Sequence, residues 1–258
     1  MLQKYKVLLF LVPVAVILRV MFYHAYISCG GTGIEIDTGS YLYAAKNFVE
    51  TGSFGATVRT PGYPFILAIL IKIKGEEYYP LLVGVQIFLN IVGIVYLFLL
   101  CDKLFQNGKV AILAAVIATL NFLDMYYSML VLSDSVAQAF IVIGSCYYVR
   151  FIYEMAEKNI KTANFVLGSA SFIIAFLIRP AFMYLPAAFI IGFIAAGIFY
   201  KADWKKLLVR LAFFGIAYIM PVFLWSAYNK EHIGYDGYTP ISNVNLYQYN
   251  AAVVYASA

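Results

Sequence analysis

Two acids and two arginines stand where chemistry would be done: Asp37, Arg59, Asp134 and Arg179, all at the same expected membrane level. A carboxylate at a water–lipid boundary can act as general base on an acceptor hydroxyl. An arginine at that boundary is a good phosphate ligand, because its planar fork donates several charge-assisted hydrogen bonds. Asp37 also suits the N-terminus of a helix, and Ser133-Asp134 reads equally as a capping pair, Ser133 capping and Asp134 complementing the dipole. Both readings stand for Asp134. For Asp37, capping accounts for one acid but leaves the other three residues unexplained.

Other chemistries are poorly supplied. His24 and His232 are too few and too separated for a metal site, and no HExxH, CxxC or phosphate-loop motif occurs. Ser128, Ser133 and Ser135 lack a nearby histidine. Cys29, Cys101 and Cys146 fall at different membrane levels, so neither a disulfide nor a metal set is expected. No metal and no cofactor is expected.

The elements that must hold these residues are membrane helices. Hydrophobic residues make up 64% of the 258-residue chain and charged residues 12%, a balance no soluble domain carries without large exposed apolar patches. The expected fold is all-α, a polytopic bundle of about seven spans: Val7–Ile27, Pro80–Leu100, Val110–Met125, Ser135–Tyr153, Ala163–Ile178, Phe182–Tyr200 and Leu207–Ser226. The first run is too long for a signal peptide and is read as a retained span. Arg19, deep within it, is expected to snorkel or to pair inside the bundle.

Between the first two spans lies a polar loop, 28–79, with two short helices. Gly39–Thr51 has an apolar face of Tyr41, Leu42, Ala45, Phe48 and Val49, and stops at Gly52. Gly62–Lys74 begins after Pro61, ends at Gly75 and reaches only ~20 Å, short of the ~30 Å core. The first is expected to lie flat on the membrane, and the second to lie on or dip into the interface.

Lysines and arginines sort by alternate loops. The N-terminal side holds Lys4, Lys6, Lys103, Lys109, Arg150, Lys158, Lys161, Lys201, Lys205, Lys206 and Arg210. The other holds Lys46, Arg59, Lys72, Lys74, Arg179 and Lys230. The net charge of +5 therefore describes orientation, not nucleic-acid binding. The N-terminus is expected in the cytoplasm, and Glu35, Asp37, Glu50, Asp124, Asp134, Glu231 and Asp236 outside it. The expected divisions are a transmembrane module, 1–226, and an outer loop, 227–258, rich in Tyr and Asn. That tail ends without a further span, as expected of a piece of something longer.

With these residues in view, the chain resembles the GT-C membrane glycosyltransferases of the protein-mannosyltransferase and aminoarabinose-transferase-like group. Asp37-Thr-Gly-Ser-Tyr41-x-x-Ala44 looks like their first-loop Asp-x-x-x-Tyr pattern, and Arg59-Thr-Pro-Gly-Tyr63-Pro64 like the start of their second loop helix. Tyr126 through Ser133-Asp134 is similar to their third-to-fourth span junction. Arg179-Pro180, Trp225–Asn229 and Asn245-Leu246-Tyr247 resemble later outer loops.

The resemblance implies a donor sugar on a polyprenyl phosphate, a lipid, glycan or protein acceptor, and inverting transfer outside the cytoplasm of a bacterial inner or plasma membrane. It implies Asp37 as base, Asp134 as a second acid, Arg59 and Arg179 as donor-phosphate ligands, and a substrate pocket including Tyr41, Tyr63, Asn229, Asn245 and Tyr247. Several relatives carry Glu directly after the first-loop Asp and Arg three after it, where this chain has Thr38 and Ser40. Lys46 is the candidate for the missing phosphate contact. Two rival readings are a lipid-linked sugar flippase, which would want broken or charged helices at the bilayer midplane, and a non-catalytic scaffold, whose loop acids would tolerate alanine.

Overall fold

The computed structural model describes residues 5–158 and 161–241. Asn245 and Tyr247 of the expected pocket lie outside the described residues. Within them the chain forms α1 (Lys6–Ser28), α2 (Thr38–Thr51), α3 (Gly62–Lys74), α4 (Tyr78–Phe105), α5 (Gly108–Leu120), α6 (Phe122–Tyr127), α7 (Asp134–Ala156), α8 (Thr162–Ile178), α9 (Leu185–Phe199) and α10 (Trp204–Ile233), and no strand among the described residues. Five helical stretches are long and apolar enough to cross a membrane: Lys6–Ser28, Gly62–Phe105, Asp134–Ala156, Pro180–Phe199 and Trp204–Ile233. The second of these is interrupted by a 3-10 turn at Gly75–Glu77 between α3 and α4. α5 and α8 are apolar but shorter.

Helix ends follow local chemistry. Gly52 takes φ 77°, the left-handed conformation that glycine adopts without a Cβ penalty, and stops α2 where the sequence predicts. The expected span Val110–Met125 is not one helix. Asn121 takes an extended backbone and its side chain accepts from the N–H groups of Leu123 and Asp124, ending α5 and starting α6. α10 runs to Ile233, past its expected end at Ser226, where Gly234 at φ 68° stops it. Pro61 sits at the N-cap of α3 rather than inside its first turn.

One core positions the loop. Tyr41 and Ala45 of α2 pack with Tyr63, Leu67 and Leu70 of α3, Leu82 of α4, Val131, Val136 of α7 and Ile178 of α8. The contact between α3 and α8 leaves no room for a side chain at Gly62. A Cβ there would stand 2.6 Å from the Leu177 carbonyl carbon and 2.7 Å from the Ile178 nitrogen. Both are backbone atoms, so relief requires moving a helix end. Gly62→Ala is expected to cost about 1–3 kcal/mol through overpacking, read as a lower melting temperature in detergent. An unchanged melting temperature would mean α3 does not begin against α8.

Elsewhere the helices turn apolar faces outward, as membrane helices do: Phe213, Ile216, Ile219, Met220, Phe223 and Leu224 of α10 are all exposed.

Candidate active site

The end of the bundle where α1 finishes and α7 begins carries the loop residues of interest. Asp37 occupies the N-cap position of α2, yet its side chain caps no backbone N–H. Its carboxylate instead meets Arg59 at 2.5 Å. Arg59 is held from three directions. Its Nε donates to Ser40 Oγ at 2.7 Å, its guanidinium lies over the Tyr41 ring at 4.6 Å, and its backbone N–H donates to Thr57 Oγ1. Ser40 in turn donates to the Asp37 carbonyl at 2.7 Å. Ser40 stands where the resemblance led us to miss an arginine, and Arg59 is drawn onto it from the following segment.

A second pair lies beside the first. Asp134, the first residue of α7, forms an ion pair with Arg179, the C-cap of α8. The expected capping by Ser133 does not occur. Ser133 occupies the N-cap position without a capping bond, and its hydroxyl pairs with Tyr41 Oη at 3.0 Å. Arg179 has an extended backbone, φ −138°, as the following Pro180 requires. That geometry carries its side chain off the end of α8 toward α7.

Asp37, Arg59 and Arg179 face a cavity of about 270 Å³, lined also by Tyr41, Pro180, Met183, Tyr184 and Thr239; Asp134 lies outside its lining and reaches it only through Arg179. Its walls are tied together by distant segments. Thr60 Oγ1 donates to the Ile178 carbonyl, Thr239 Oγ1 to the Val58 carbonyl, and Tyr228 Oη to the Gly55 carbonyl. Asp37 is 52% exposed and Arg59 12%. The Asp37 end of the pair is open to water and screened there, and a phosphate offers Arg59 more acceptor oxygens and at least as much negative charge. A phosphate reaching this cavity can therefore displace Asp37 from Arg59.

Residues 58–225 match the family model described as dolichyl-phosphate-mannose-protein mannosyltransferase. The chain belongs to that family. It is accordingly a membrane glycosyltransferase of the GT-C type, acting on a lipid-linked sugar donor and an acceptor. Within the mannosyltransferase match fall Arg59, Asp134 and Arg179; Asp37 precedes it and Asn229 follows it. Searches of curated proteins and of solved structures returned no match.

Not every residue expected at the site is in it. Lys46, more than two turns along α2 from Asp37, does not line the cavity and bonds Glu76 at 3.0 Å. The hydrogen bond from Lys46 to Glu76, and then the charge of Glu76, hold its ammonium above the ordinary lysine range. Tyr63 is wholly buried, its ring edge-on to Tyr41 and its hydroxyl on Gln86. It supports the cavity wall from behind. Asn229 is also buried and donates to the carbonyls of Gly237 and Tyr238, holding the turn after α10. Among the described residues no group of acids, histidines and cysteines could hold a metal ion.

The site also uses residues that the sequence reading passed over. Ser40 was seen only as an absent arginine, and Thr239 and Met183 carried no signal in type or spacing. Glu35, read only as an outer acid, accepts from Tyr126 Oη at 3.2 Å and so ties the start of the loop to α6.

Proposed function

We propose that this protein transfers a sugar from a polyprenyl-phosphate donor to an acceptor hydroxyl, with inversion and with Asp37 as general base. The observation that carries the reading is the convergence of one acid and two arginines on one cavity, Asp37 paired with Arg59 and, beside them, Arg179, which Asp134 holds from outside the lining. In the reaction, the donor phosphate takes Arg59 from Asp37 and leaves the carboxylate free. Asp37 then removes the acceptor proton as the acceptor oxygen attacks the anomeric carbon. The bond from that carbon to the phosphate oxygen breaks, and polyprenyl phosphate departs with its new charge on Arg59 and Arg179. A single displacement inverts the anomeric centre. Asp134 holds Arg179 in place through the cycle.

The volume, about 270 Å³, is near the low end for small-molecule sites, about 300–1,000 Å³. It suits one sugar ring with its phosphate better than an oligosaccharide. The donor sugar is a hexose or pentose. In the same reading the seven apolar helices or helix pairs all cross, α5 with α6 completing one crossing, and α2 and α3 lie along the outer surface. The charge distribution between loops supports a cytoplasmic N-terminus and an extracytoplasmic site.

Binding tests the donor half of this reading directly. Purified protein in detergent is titrated with a short-chain polyprenyl-phosphate sugar, and Arg59→Ala is expected to weaken binding about 10–100-fold through loss of charge-assisted hydrogen bonds. Equal binding by the variant and the unaltered chain would remove Arg59 from the donor site.

A further inference from the structure

The opposite end of the bundle carries a second charged cleft, far larger than the first. It has a volume of about 680 Å³ and is lined by Lys158, Lys201, Lys206 and Arg210 with a lone acid, Asp203, and by the apolar Met155 and Tyr200. The cations come from three helix ends: Lys158 just past α7, Lys201 just past α9, and Lys206 and Arg210 from the first two turns of α10.

Charge sorting across the membrane explains why lysines gather at this end, but not where these four are placed. Lys206 stands in the first turn of α10, where the helix dipole disfavours a cation. Lys158 and Lys201 are two of the three non-glycine residues with positive φ among the described residues, at 55° and 50°. Lys201 occupies the left-handed position of a Schellman turn, its N–H bonded to Ile198 and that of Ala202 to Gly197. Glycine is the relaxed occupant of such a position. Lysine there bears a conformational cost that puts its side chain at this cleft. Among the described residues the internal contacts are too few to neutralise the cluster: Lys206 reaches Asp203 at 3.3 Å, Arg210 donates to Thr162 Oγ1 at 3.4 Å, and the Arg210 guanidinium lies 5.9 Å from the centre of the uncharged Phe151 ring. Trp204, beside the cleft, and the exposed Phe199, Leu208 and Val209 set it at the lipid boundary.

We propose that this cleft binds a phosphate group, carried on the headgroup of an anionic membrane lipid or presented as a soluble phosphate. Basic pockets between membrane helices hold lipid phosphates in this way. The site is separate from the candidate active site and does not depend on the transfer mechanism.

The full chain in uncharged detergent is titrated with phosphatidylglycerol and with phosphatidylcholine of matched acyl chains, and bound lipid is counted by native mass spectrometry. Phosphatidylglycerol is expected to saturate at one per chain at about tenfold lower concentration than phosphatidylcholine. Displacement by millimolar inorganic phosphate assigns the site to soluble phosphate, and retention assigns it to lipid. The combined change Lys201→Gln, Lys206→Gln and Arg210→Gln is expected to erase the preference. Asp203→Asn keeps an oxygen to cap α10, removes the cleft's negative charge and is expected to tighten binding about threefold. This second variant gives a readout even if the triple change fails to fold. Equal retention of the two lipids, a preference surviving in a folded triple variant, or unaltered binding by Asp203→Asn would each overturn the proposal.

Discussion

Asp37→Asn is expected to lower sugar transfer by about 10²–10⁴-fold, the usual contribution of a positioned general base, while donor binding holds or tightens, because the phosphate no longer competes with a carboxylate for Arg59. The substitution is close to isosteric, and the amide oxygen can still accept from Arg59, so the local frame of Ser40, Arg59 and Tyr41 has no reason to collapse. What is lost is the capacity to take a proton. The competing account, that Asp37 merely complements the N-terminus of α2, allows an effect of only about 0.3–1 kcal/mol on stability. It is weakened already by the absence of any capping bond from the Asp37 side chain. Two readouts separate the accounts: single-turnover transfer with saturating donor, and melting temperature. Turnover equal to that of the unaltered enzyme would remove Asp37 from the chemistry.

Much of the helical scaffold was legible because its signals are local. Apolar run length, Gly52 and Gly75 as stops, and the face of Tyr41, Ala45 and Phe48 each follow from a few neighbouring residues. Asn121 was also legible in principle: a capping residue inside an apolar run is a break signal, and length alone misread it. The side-chain pairings were harder, since they depend on how each helix is rotated about its axis. Nothing in the spacing says that Arg59 reaches back nineteen residues to Ser40, or that Ser133 turns to Tyr41 instead of capping α7. Lys46 fails as a phosphate ligand on a simple measure. Nine residues along a helix from Asp37 is about 13 Å, beyond what one phosphate spans. The cations at the other end were read only as a sum that fixes orientation, and a sum carries no information about which of them converge.

Arg19 and Asp124 illustrate the same limit at greater cost, and they carry the largest expected effect on folding. Arg19 continues the buried stripe Leu11, Ala15, Arg19 of α1 and is wholly inaccessible. Its Nε donates to Asn90 Oδ1, and its terminal nitrogens reach the carbonyls of Ala15, Ala118 and Thr119. Asp124, grouped by sequence with the outer acids, lies 3.7 Å from Arg19 and accepts from Asn90. Asn90, a polar residue within an apolar span, was the unread sign of this network. The depth of Asp124 follows from the short α5: 13 residues reach only about 20 Å, so α6, with Asp124 in it, begins within the bundle. Arg19→Met leaves that carboxylate buried without its cation, and removal of one member of such a pair costs about 3–5 kcal/mol. The variant is expected to melt well below the unaltered protein in detergent or to accumulate poorly in the membrane. Arg19→Met with Asp124→Leu removes both charges and is expected to recover most of the loss, because a buried pair contributes little net stability over apolar packing. A double variant as unstable as Arg19→Met alone would show that the hydrogen bonds to Asn90 and the α5 carbonyls, rather than the charge pair, hold α1 to α4 and α5.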